Sequence, residues 1–456
     1  MKNPIHRILA VALGLLATVP ALSIGAVSPQ EAATLKTTLT PLGAERAGNK
    51  EGTIPVWTGG YTAGSGAQKS DGRRVDPFAA DKPLFTITAA NASKYSEHLS
   101  EGVMALFQRY PDTFRINVYP TRRTAAAPQW LYNNTLRNAT QAKLSKDGLA
   151  VEGAYGGVPF PIPKSGEEVR WNHLTRWRGQ SIDMRYKVWA NTPSGQSVLA
   201  TQATVNDQFP YYREPAGDGS KHDGMFWQSI QSTDAPAFRA GEALLLRDQN
   251  DFSDGRMIWQ YLAGQRRVRR APNIGFDTPD FVASGTSFFD EAFGGVGSSE
   301  RYDLKLLGKK EMYIPYNTNR LLTISDAEAM AKNHLKPENL RWELHRVWVV
   351  EATLKAGKRH AVPRRISYHD EDTWATSVMD GWDAQGKIWR TDLMLPFVAP
   401  ELPAVVTMCT DAFFNLQTGA WLYRCSMGDF DEQYKAVPYR ADSYFTPDAL
   451  VSNQTR

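Results

Sequence analysis

Residues 256 to 280, RMIWQYLAGQRRVRRAPNIGFDTPD, decide the fold class, because they join two alternating segments through a tight turn. Met257, Trp259 and Tyr261 fall on one face of the first segment, which is the two-residue spacing of a β-strand. Residues 263–265 form the turn. The return segment carries four arginines, which an isolated ribbon cannot hide: Arg266, Arg267, Arg269 and Arg270. The stretch therefore predicts a hairpin whose arginines meet water or an acidic partner.

The C-terminal part of the chain continues the β pattern over a greater length. Residues 341–354 alternate, and one face holds Trp342, Leu344, Trp348 and Val350. Fourteen residues at strand rise span about 46 Å, several times the commoner strand of five or six residues. Turn-like sequences then follow at 356–358, 370–372 and 383–386. This pattern predicts a meander in a large curved antiparallel sheet.

Helices and irregular segments are predicted to be few. Apolar residues recur at helical spacing from 89 to 110, and Ser325 opens a short capped helix. The Gly-rich and Pro-rich connection at 272–300 contains Phe288, Phe289 and Phe293, so it is expected to fold back on the sheet. Shorter alternating segments predict further strands at 169–174, 182–189, 198–205, 243–246 and 304–314.

Length and composition favour one large domain. The chain has 456 residues, of which 42% are hydrophobic and 11% aromatic, enough for a sizeable core. Large all-β domains often exceed the usual domain length, so residues 27–456 are interpreted as a single mainly β domain. Arginines concentrate at Arg122 and Arg123, at 266–270, and at Arg364 and Arg365. These clusters are expected either to be solvated strand faces or to contact anionic headgroups and acidic partners.

The N-terminus is typical of a secretory signal peptide. Two basic residues precede an apolar run from Ile8 to Val19, and small residues follow, so cleavage is expected after Ser23 or Ala26. The alternative is an uncleaved anchor over residues 8–27. Removing residues 1–26 lowers the formal net charge from +4 to +2. An exported chain with so small a charge is not expected to bind nucleic acid.

The two cysteines, Cys409 and Cys425, lie sixteen positions apart and flank a turn-like sequence. In an oxidising compartment they are expected to form a disulfide between neighbouring strands, which would contribute roughly 3 kcal/mol. The alternative is a pair of buried free thiols.

Motifs for enzymatic chemistry are mostly absent from the sequence. Residues 381–387, GWDAQGK, match part of a P-loop, but Ile388 replaces the magnesium-binding hydroxyl, so a hairpin turn is the better interpretation. No G-x-S-x-G or H-E-x-x-H sequence occurs. A metal cluster is conceivable from His345, His360, His369, Asp370 and Asp372. Polar positions on a solvated sheet face explain these residues better, so no metal and no cofactor are expected.

Several segments resemble one protein family. The pattern W-x-Y-x-x-G-x-R-R-V-R-R followed by A-P-N is similar to the signature of a proteobacterial periplasmic family of unknown function (domain of unknown function 1329). Four more segments share the resemblance: LTPLGAERAGNKEGTIPVWTGG (39–60), VYPTRRTAAAP (118–128), GGVPFPIPKSGEEVRWNHLTRWRG (156–179) and KLLGKKEMYIPYN (305–317). The resemblance implies the half-barrel fold of the lipoprotein carriers LolA and LolB, with a few helices across its concave side.

The resemblance also implies a function. We expect a periplasmic carrier or chaperone for a lipid or lipoprotein acyl chain that moves between the inner and outer membranes, with an RND-type exporter and an outer-membrane protein as partners. Peripheral contact with the outer membrane is a further expectation. The candidate cavity wall comprises Trp259, Tyr261, Trp342, Leu344, Trp348 and Val350. The candidate contacts for headgroups or a partner are Arg266, Arg267, Arg269 and Arg270.

Two other functions remain open at this point. The first is an enzyme acting on a hydrophobic substrate, which requires His345, His360 and His369 to converge. The second is a scaffold that binds an outer-membrane or transporter protein through a sheet edge.

Overall fold

A computed structural model of the chain describes residues 26–62, 73–213, 224–271 and 274–454. The predicted signal peptide lies outside the described residues except for its last position, so it stays a prediction. In the described ranges, no helix combines the length and the apolar character needed to cross a membrane.

Strands dominate the described part of the chain. Those of the first half are β1 (Phe85–Thr88), β2 (Arg115–Val118), β3 (Lys143–Leu144), β4 (Val151–Glu152), β5 (Ser181–Asn191), β6 (Ser197–Gln208), β7 (Met225–Ala235), β8 (Ala243–Gln249), β9 (Met257–Leu262) and β10 (Arg267–Arg270). Those of the second half are β11 (Tyr302–Pro315), β12 (Trp342–Leu354), β13 (Arg364–Asp370), β14 (Thr376–Trp382), β15 (Ile388–Met394), β16 (Phe397–Ala399), β17 (Ala404–Val406), β18 (Asp411–Asn415), β19 (Trp421–Ser426) and β20 (Lys435–Ala436).

The described α-helices are short. They are α1 (Pro29–Ala33), α2 (Glu101–Arg109), α3 (Gln129–Gln141), α4 (Gly166–Leu174), α5 (Asp326–Ala329) and α6 (Pro447–Gln454). The side chains of Ser28, Ser100, Ser165 and Ser325 cap the N-termini of α1, α2, α4 and α5.

A sheet of sixteen strands organises the molecule. Its order is β1-β2-β12-β13-β14-β15-β18-β19-β5-β6-β7-β8-β9-β10, with β11 paired to β12 and β20 paired to β5. These pairs are antiparallel except for a one-residue parallel contact between β2 and β12. Two meanders, β5 to β10 and β11 to β15, are thus joined through β18 and β19. Among the described strands, β10 pairs only with β9 and β11 pairs only with β12. The two edges of the sheet therefore do not meet, and the sheet stays open. The predicted mainly β, large antiparallel half-barrel class is confirmed.

Both faces of this sheet are covered. One hydrophobic core includes residues of α3 and α4, and a second includes residues of α2, β1 and β2. Side chains on both sides of a strand are therefore buried, as they are at almost every position from Trp342 to Val350. Helix α4 packs on the concave side, as expected, and α2 covers the other face as well.

Several local predictions are confirmed and two are corrected. The segment 89–110, predicted as helical, divides at the extended Leu99 into a 3-10 helix, Ala92–His98, and helix α2. The predicted hairpin of β9 and β10 forms, with its turn at Ala263–Gln265. Residues 381–387 form the hairpin between β14 and β15. Residues 169–174, predicted as a strand, belong to helix α4 instead. Seven of the nine residues of α4 are buried, so its apolar positions do not follow the spacing of a surface helix.

Candidate functional site

The connection between β10 and β11 crosses one face of the sheet, and we call its residues 280–300 the strap. Asp290 of the strap binds Arg365 on β13, and Glu291 binds Arg390 on β15. The carbonyl oxygen of Glu291 accepts a hydrogen bond from Arg424 on β19. Two neighbouring residues reach three separated strands only if the sheet curves around them. The strap therefore lies on the concave face, and the prediction that this connection folds back on the sheet is confirmed.

Aromatic side chains of the strap fill the centre of the concave face. Phe289 and Phe293 are buried, and the Phe293 ring meets the Trp227 ring edge to face at a centroid distance of 5.1 Å. The strap backbone forms 3-10 turns at Phe281–Ala283 and Phe289–Gly294 rather than a strand or an α-helix. Phe293 has a left-handed φ of 57°, which a non-glycine residue rarely adopts. Side-chain packing and ion pairs therefore hold the strap in place.

The first ion pair that holds the strap joins Asp290 to Arg365. The guanidinium donates two hydrogen bonds of 2.7 and 3.0 Å to the carboxylate, and His360 Nε2 lies 3.0 Å from the same carboxylate. Burial disfavours the charged form of Asp290, but Arg365 and His360 outweigh it and lower the pKa of the carboxyl well below its usual range. Asp290 is thus ionised at neutral pH in a buried site.

A second set of charges holds Glu291. Arg390 donates a 2.6 Å hydrogen bond to its carboxylate. Arg424, which also binds the strap backbone, donates to Asp411 at 2.7 Å and to Asp392 at 2.8 Å. These groups are buried, and burial raises the pKa of Asp411 to about 6. Arginine–carboxylate pairs in a dry interior fix the orientation of the strap more strongly than exposed pairs would.

Small cavities flank the strap on both sides. The first, of about 60 Å³, lies between the strap and strands β5, β7, β8, β18 and β19, and is lined mainly by apolar side chains that include Val188, Leu244, Leu246, Val282, Ala283 and Phe289. The second, also about 60 Å³, lies between the strap, α4 and strands β11 to β14. Val296 of the strap lines both. A single segment of chain therefore divides the interior of the half-barrel.

A larger cavity of about 330 Å³ opens outside the strap. Its lining includes Arg256, Phe276, Asp277, Gly297 and Arg301. It shares Asp290 with the second cavity and Arg256 with the first. Pockets that enclose drug-sized ligands have volumes of roughly 300–1,000 Å³. The inner cavities fall well below that range, so with the strap in place they do not admit an acyl chain.

One small void lies beside the first cavity, toward one end of the sheet. A space of about 10 Å³ shares Tyr186, Gln231 and Leu244 with that cavity and reaches Arg239 and Glu242 in the connection between β7 and β8. Phe238 lies at the tip of this connection and is 85% exposed. The arginine hairpin of β9 and β10 turns at the same end, because Ala243 at the start of β8 pairs with Tyr261 near the end of β9.

The six predicted wall residues lie at separate places. Trp259 and Tyr261 pack with Phe445 and Leu450 next to the C-terminal helix α6. Trp342 belongs to the core on the α2 side, Leu344 is buried, and the Trp348 ring stacks on Trp374. Val350 lines the second cavity. The structure thus brings Val350, but not Trp259 and Tyr261, to the strap, and the ligand-binding role of the six stays a prediction.

The predicted arginine contacts divide into exposed and buried groups. Arg266, Arg267, Arg269 and Arg270 are exposed. In the described part of the chain, no carboxylate forms an ion pair with any of the four. Arg123 and Arg365 are buried instead, where they bind Asp372 and Asp290. The expectation of solvated or partner-binding arginines is therefore wrong at these two positions.

The three C-terminal histidines do not converge. His360 binds Asp290 of the strap, while His369 faces the concave side, with its ring 5.4 Å from that of His173. His345 faces the opposite side of the sheet, beside Glu343. The expectation of a solvated polar face is also wrong, because His345 and His369 are 1% and 3% exposed. These histidines are buried because both faces of the sheet are covered.

The disulfide prediction is confirmed. Cys409 and Cys425 are bonded, with their Cα atoms 5.4 Å apart, and both line the first cavity. The important residues that sequence reasoning missed are Asp290, Glu291, Arg390 and Arg424. The sequence contained one indication of this site. Asp290 and Glu291 lie between Phe289 and Phe293, and an acidic pair flanked by aromatic residues is unusual for a solvated loop.

Comparisons with known proteins agree on one family. The model of the family described as protein of unknown function (DUF1329) matches residues 86–451. An uncharacterized protein of Pseudomonas aeruginosa is 39% identical over 470 residues, covering 98% of this chain and 97% of that protein.

Solved structures with a likeness to the chain cover about three fifths of it. A putative outer membrane lipoprotein-sorting protein domain from Vibrio parahaemolyticus has a TM-score of 0.40 and 14% identity, over 62% of this chain and 97% of its own. A DUF1329 family protein from Desulfovibrio piger has a TM-score of 0.39 and 15% identity, over 62% and 97%. A LolA superfamily protein from Nitrosomonas europaea has a TM-score of 0.35 and 12% identity, over 63% and 99%.

Proposed function

This chain belongs to the family of proteins of unknown function DUF1329, and on that premise we propose that it is a periplasmic carrier of a hydrophobic molecule. The cargo is a lipid or a lipoprotein acyl chain that travels between the inner and outer membranes. The observation that carries the proposal is the strap, an irregular segment whose aromatic side chains occupy the concave face between small cavities.

The strap is the part of the interior that gives way to cargo. A hydrocarbon chain lies where Phe289, Phe293 and Val296 pack in the closed form. Segments without regular backbone pairing open at lower free energy than core strands do. The β-sheet keeps its strand pairing, so the concave face remains formed while the strap moves.

The apolar contributions to the exchange, taken without the ion pairs of the strap, are of matching size. Exposing three large apolar side chains costs about 5–9 kcal/mol, at 1.5–3 kcal/mol each. Burying an acyl chain of about twelve methylenes contributes about 10 kcal/mol, at 0.8 kcal/mol each. Cargo and strap thus compete for the same apolar surface, which suits a carrier that must also release its cargo.

The sheet end that bears Phe238 is the site of membrane contact in this proposal. An exposed aromatic ring inserts into the headgroup region, and Arg266, Arg267, Arg269 and Arg270 attract anionic lipids. The small void beside the first cavity lies toward this same end. Delivery at the outer membrane, and loading from an RND-type exporter in the inner membrane, are the two ends of the proposed route.

Cavity filling tests the proposal directly. The full chain is purified from the periplasm, and bound lipid is measured by native mass spectrometry and by solvent extraction. Leu244→Trp places a large ring in the first cavity, whereas Val198→Trp adds the same ring at a position on β6 that is 54% exposed. We expect the wild type and Val198→Trp to retain lipid and Leu244→Trp to lose most of it.

Overpacking costs about 1–3 kcal/mol, so the folding of both variants is checked by circular dichroism and thermal melting. Equal lipid retention in the two folded variants would exclude this cavity as the cargo site. A wild-type protein that never retains lipid, even after incubation with phospholipid vesicles, would count against the carrier function itself.

A further inference from the structure

A cluster of buried ionisable side chains surrounds His345, on the sheet face opposite the strap. His345 Nε2 lies 3.1 Å from Glu343 Oε2, and the imidazole packs on the Tyr316 ring at a centroid distance of 4.0 Å. His345 and Glu343 are 1% and 0% exposed. The proposed carrier function uses none of these groups, and their burial requires a separate explanation.

The second ring nitrogen of His345 faces another carboxylate. His345 Nδ1 lies 3.6 Å from Asp370 Oδ1, which is longer than the 2.7–3.2 Å range of a hydrogen bond. A neutral imidazole that donates from Nε2 to Glu343 has a lone pair at Nδ1. The lone pair of His345 Nδ1 then faces a lone pair of Asp370 Oδ1. Two ligands at about 2.0–2.1 Å from one tetrahedral zinc ion lie roughly 3.3 Å apart, which is close to the observed separation.

Asp372 completes a set of three donors. Ligand atoms of His345, Asp370 and Asp372 all lie within 4.8 Å of one another, and all three residues are buried. Arg123 donates hydrogen bonds of 2.6 and 2.9 Å to the two oxygens of Asp372. Each oxygen of Asp372 keeps one lone pair that Arg123 does not use. Arg123 therefore orients Asp372 and leaves it free to bind a metal ion.

Two buried polar atoms at this cluster have no hydrogen-bond partner. They are Asp370 Oδ1, which faces His345 Nδ1, and the hydroxyl of Tyr316. Tyr316 is 1% exposed, and burial together with the charges of Asp370 and Asp372 raises the pKa of its hydroxyl. A buried polar atom without a protein partner is available to bind an ion or a water molecule.

Four buried carboxylates, Glu343, Asp370, Glu371 and Asp372, are balanced by four cations that contact them, Lys309, Arg123, Arg341 and Arg346. Burial lowers the pKa of His345, but Glu343 and Asp370 outweigh it and raise that pKa above its usual value. A proton on Nδ1 and a metal ion are therefore alternative occupants of the space between His345 and Asp370.

We propose that His345 Nδ1, Asp370 Oδ1 and an oxygen of Asp372 bind a Zn²⁺ ion. Neutral imidazole and carboxylate are ligands that zinc accepts at three protein positions with a fourth left open. Glu343 accepts the other N–H of the histidine, which is the carboxylate–histidine–zinc arrangement that fixes the tautomer of a metal ligand. Such an ion fastens β12 to the turn between β13 and β14, independently of the strap.

Zinc content is the test. The full chain is purified without a polyhistidine tag, stripped with a chelator during reversible unfolding, refolded with Zn²⁺ and desalted. Inductively coupled plasma mass spectrometry then gives the zinc content per chain, and Co²⁺ loading gives a visible absorption spectrum typical of a tetrahedral site. We expect about one zinc ion per chain in the wild type. His345→Gln and Asp370→Asn should each lower the affinity more than tenfold.

His334→Gln is the matched control, because His334 is also buried but lies beside Thr113 and Leu335. It should bind zinc as the wild type does. If His345→Gln fails to fold, nitrogen NMR of wild-type His345 decides the question. Zinc on Nδ1 supports the proposal, and a doubly protonated ring in zinc-saturated protein overturns it. Refolded wild type without zinc, or undiminished zinc in Asp370→Asn, also overturns it, and neither result bears on lipid retention.

Discussion

Asp290 shows how a single residue can hold a segment of chain on a sheet. Its carboxylate is buried against Arg365, and the neighbouring Arg364 makes a half-exposed pair with Glu351. The two adjacent arginines thus form the same kind of bond at different depths. A buried charge that loses its partner stays desolvated, whereas an exposed one returns to water.

Replacing the two carboxylates by amides should therefore have unequal effects. We expect Asp290→Asn to lower the free energy of unfolding by about 3 kcal/mol, because the buried Arg365 loses both of its short bonds and keeps only Glu291 as a counter-charge, at 4.0 Å. Glu351→Gln should cost less than about 1 kcal/mol. Urea unfolding followed by tryptophan fluorescence measures both. Similar losses in the two variants would contradict the assignment of Asp290 as the anchor of the strap.

Asp380 gives a prediction about pH. Its carboxylate accepts a 2.8 Å hydrogen bond from the backbone N–H of Gly102 and lies within 3.2 Å of the hydroxyls of Ser100 and Thr391. Burial raises its pKa to about 6. A carboxyl with a raised folded-state pKa contributes stability below its unfolded pKa, and that contribution is lost as the pH rises through about 6.

The variant Asp380→Asn removes this dependence, since an amide stays neutral and keeps one acceptor and two donors. From pH 4 to pH 7, the stability of the variant should rise relative to the wild type by about 2 kcal/mol. Chemical unfolding of both proteins at several pH values provides the measurement. A constant difference between them across this range would show that Asp380 does not titrate there.

At the scale of elements, the pair β18 and β19 joins the two meanders of the sheet. β18 pairs with β15 of the C-terminal meander, and β19 pairs with β5 of the other. The disulfide between Cys409 and Cys425 ties the approach to β18 to the end of β19. Arg424 lies on β19 next to Cys425, and it binds Asp392, Asp411 and the strap. This joint therefore supports both the sheet and its interior.

Removing the disulfide should weaken the joint. For the double variant Cys409→Ser/Cys425→Ser we expect a loss of about 3 kcal/mol, because the unfolded chain regains the freedom that the closed loop denies it. Thermal unfolding with and without reductant checks this. The wild type under reducing conditions should approach the variant, and the variant itself should not respond to reductant.

At the scale of the whole molecule, the open sheet has one end where an apolar tip and a basic hairpin lie side by side. A Cβ placed on Gly241, beside the Phe238 turn, would lie only 3.2 Å from the Cβ of Ala263 in the arginine hairpin. The two connections thus form one surface. Its exposed ring and four arginines match the chemistry of an anionic membrane, in which apolar insertion and charge attraction add together.

Vesicle binding checks this surface. We expect Phe238→Ser combined with Arg267→Glu to weaken binding to vesicles of anionic phospholipid about tenfold or more, at roughly 1 kcal/mol per basic residue near the surface. Wild-type binding should fall as salt rises, because salt screens the arginines. Leu84→Ser, which removes another exposed apolar side chain at 64% exposure, is the control and should bind as the wild type does. Unchanged binding in the double variant would exclude this end as the contact.

The sequence by itself determined the repeating local features of this protein. Two-residue alternation predicted the hairpin of β9 and β10 and the long strand β12, since successive side chains of a strand point to opposite faces of the sheet. The spacing of Cys409 and Cys425 predicted their bond, because both flank a short turn. The family resemblance led to the half-barrel class. Each of these features depends on neighbours in the chain or on a recognisable motif.

The tertiary structure alone decided which side chains meet. Alternation cannot tell the concave face from the convex one, so Trp259 was assigned to a cavity wall although it packs beside α6. Because helices cover both faces, the polar residues of β12 and β13 became a buried cluster around His345 instead of a solvated surface. Asp290 meets Arg365 across 75 positions of sequence. Contacts over such distances depend on how the sheet curves, which no local pattern in the chain records.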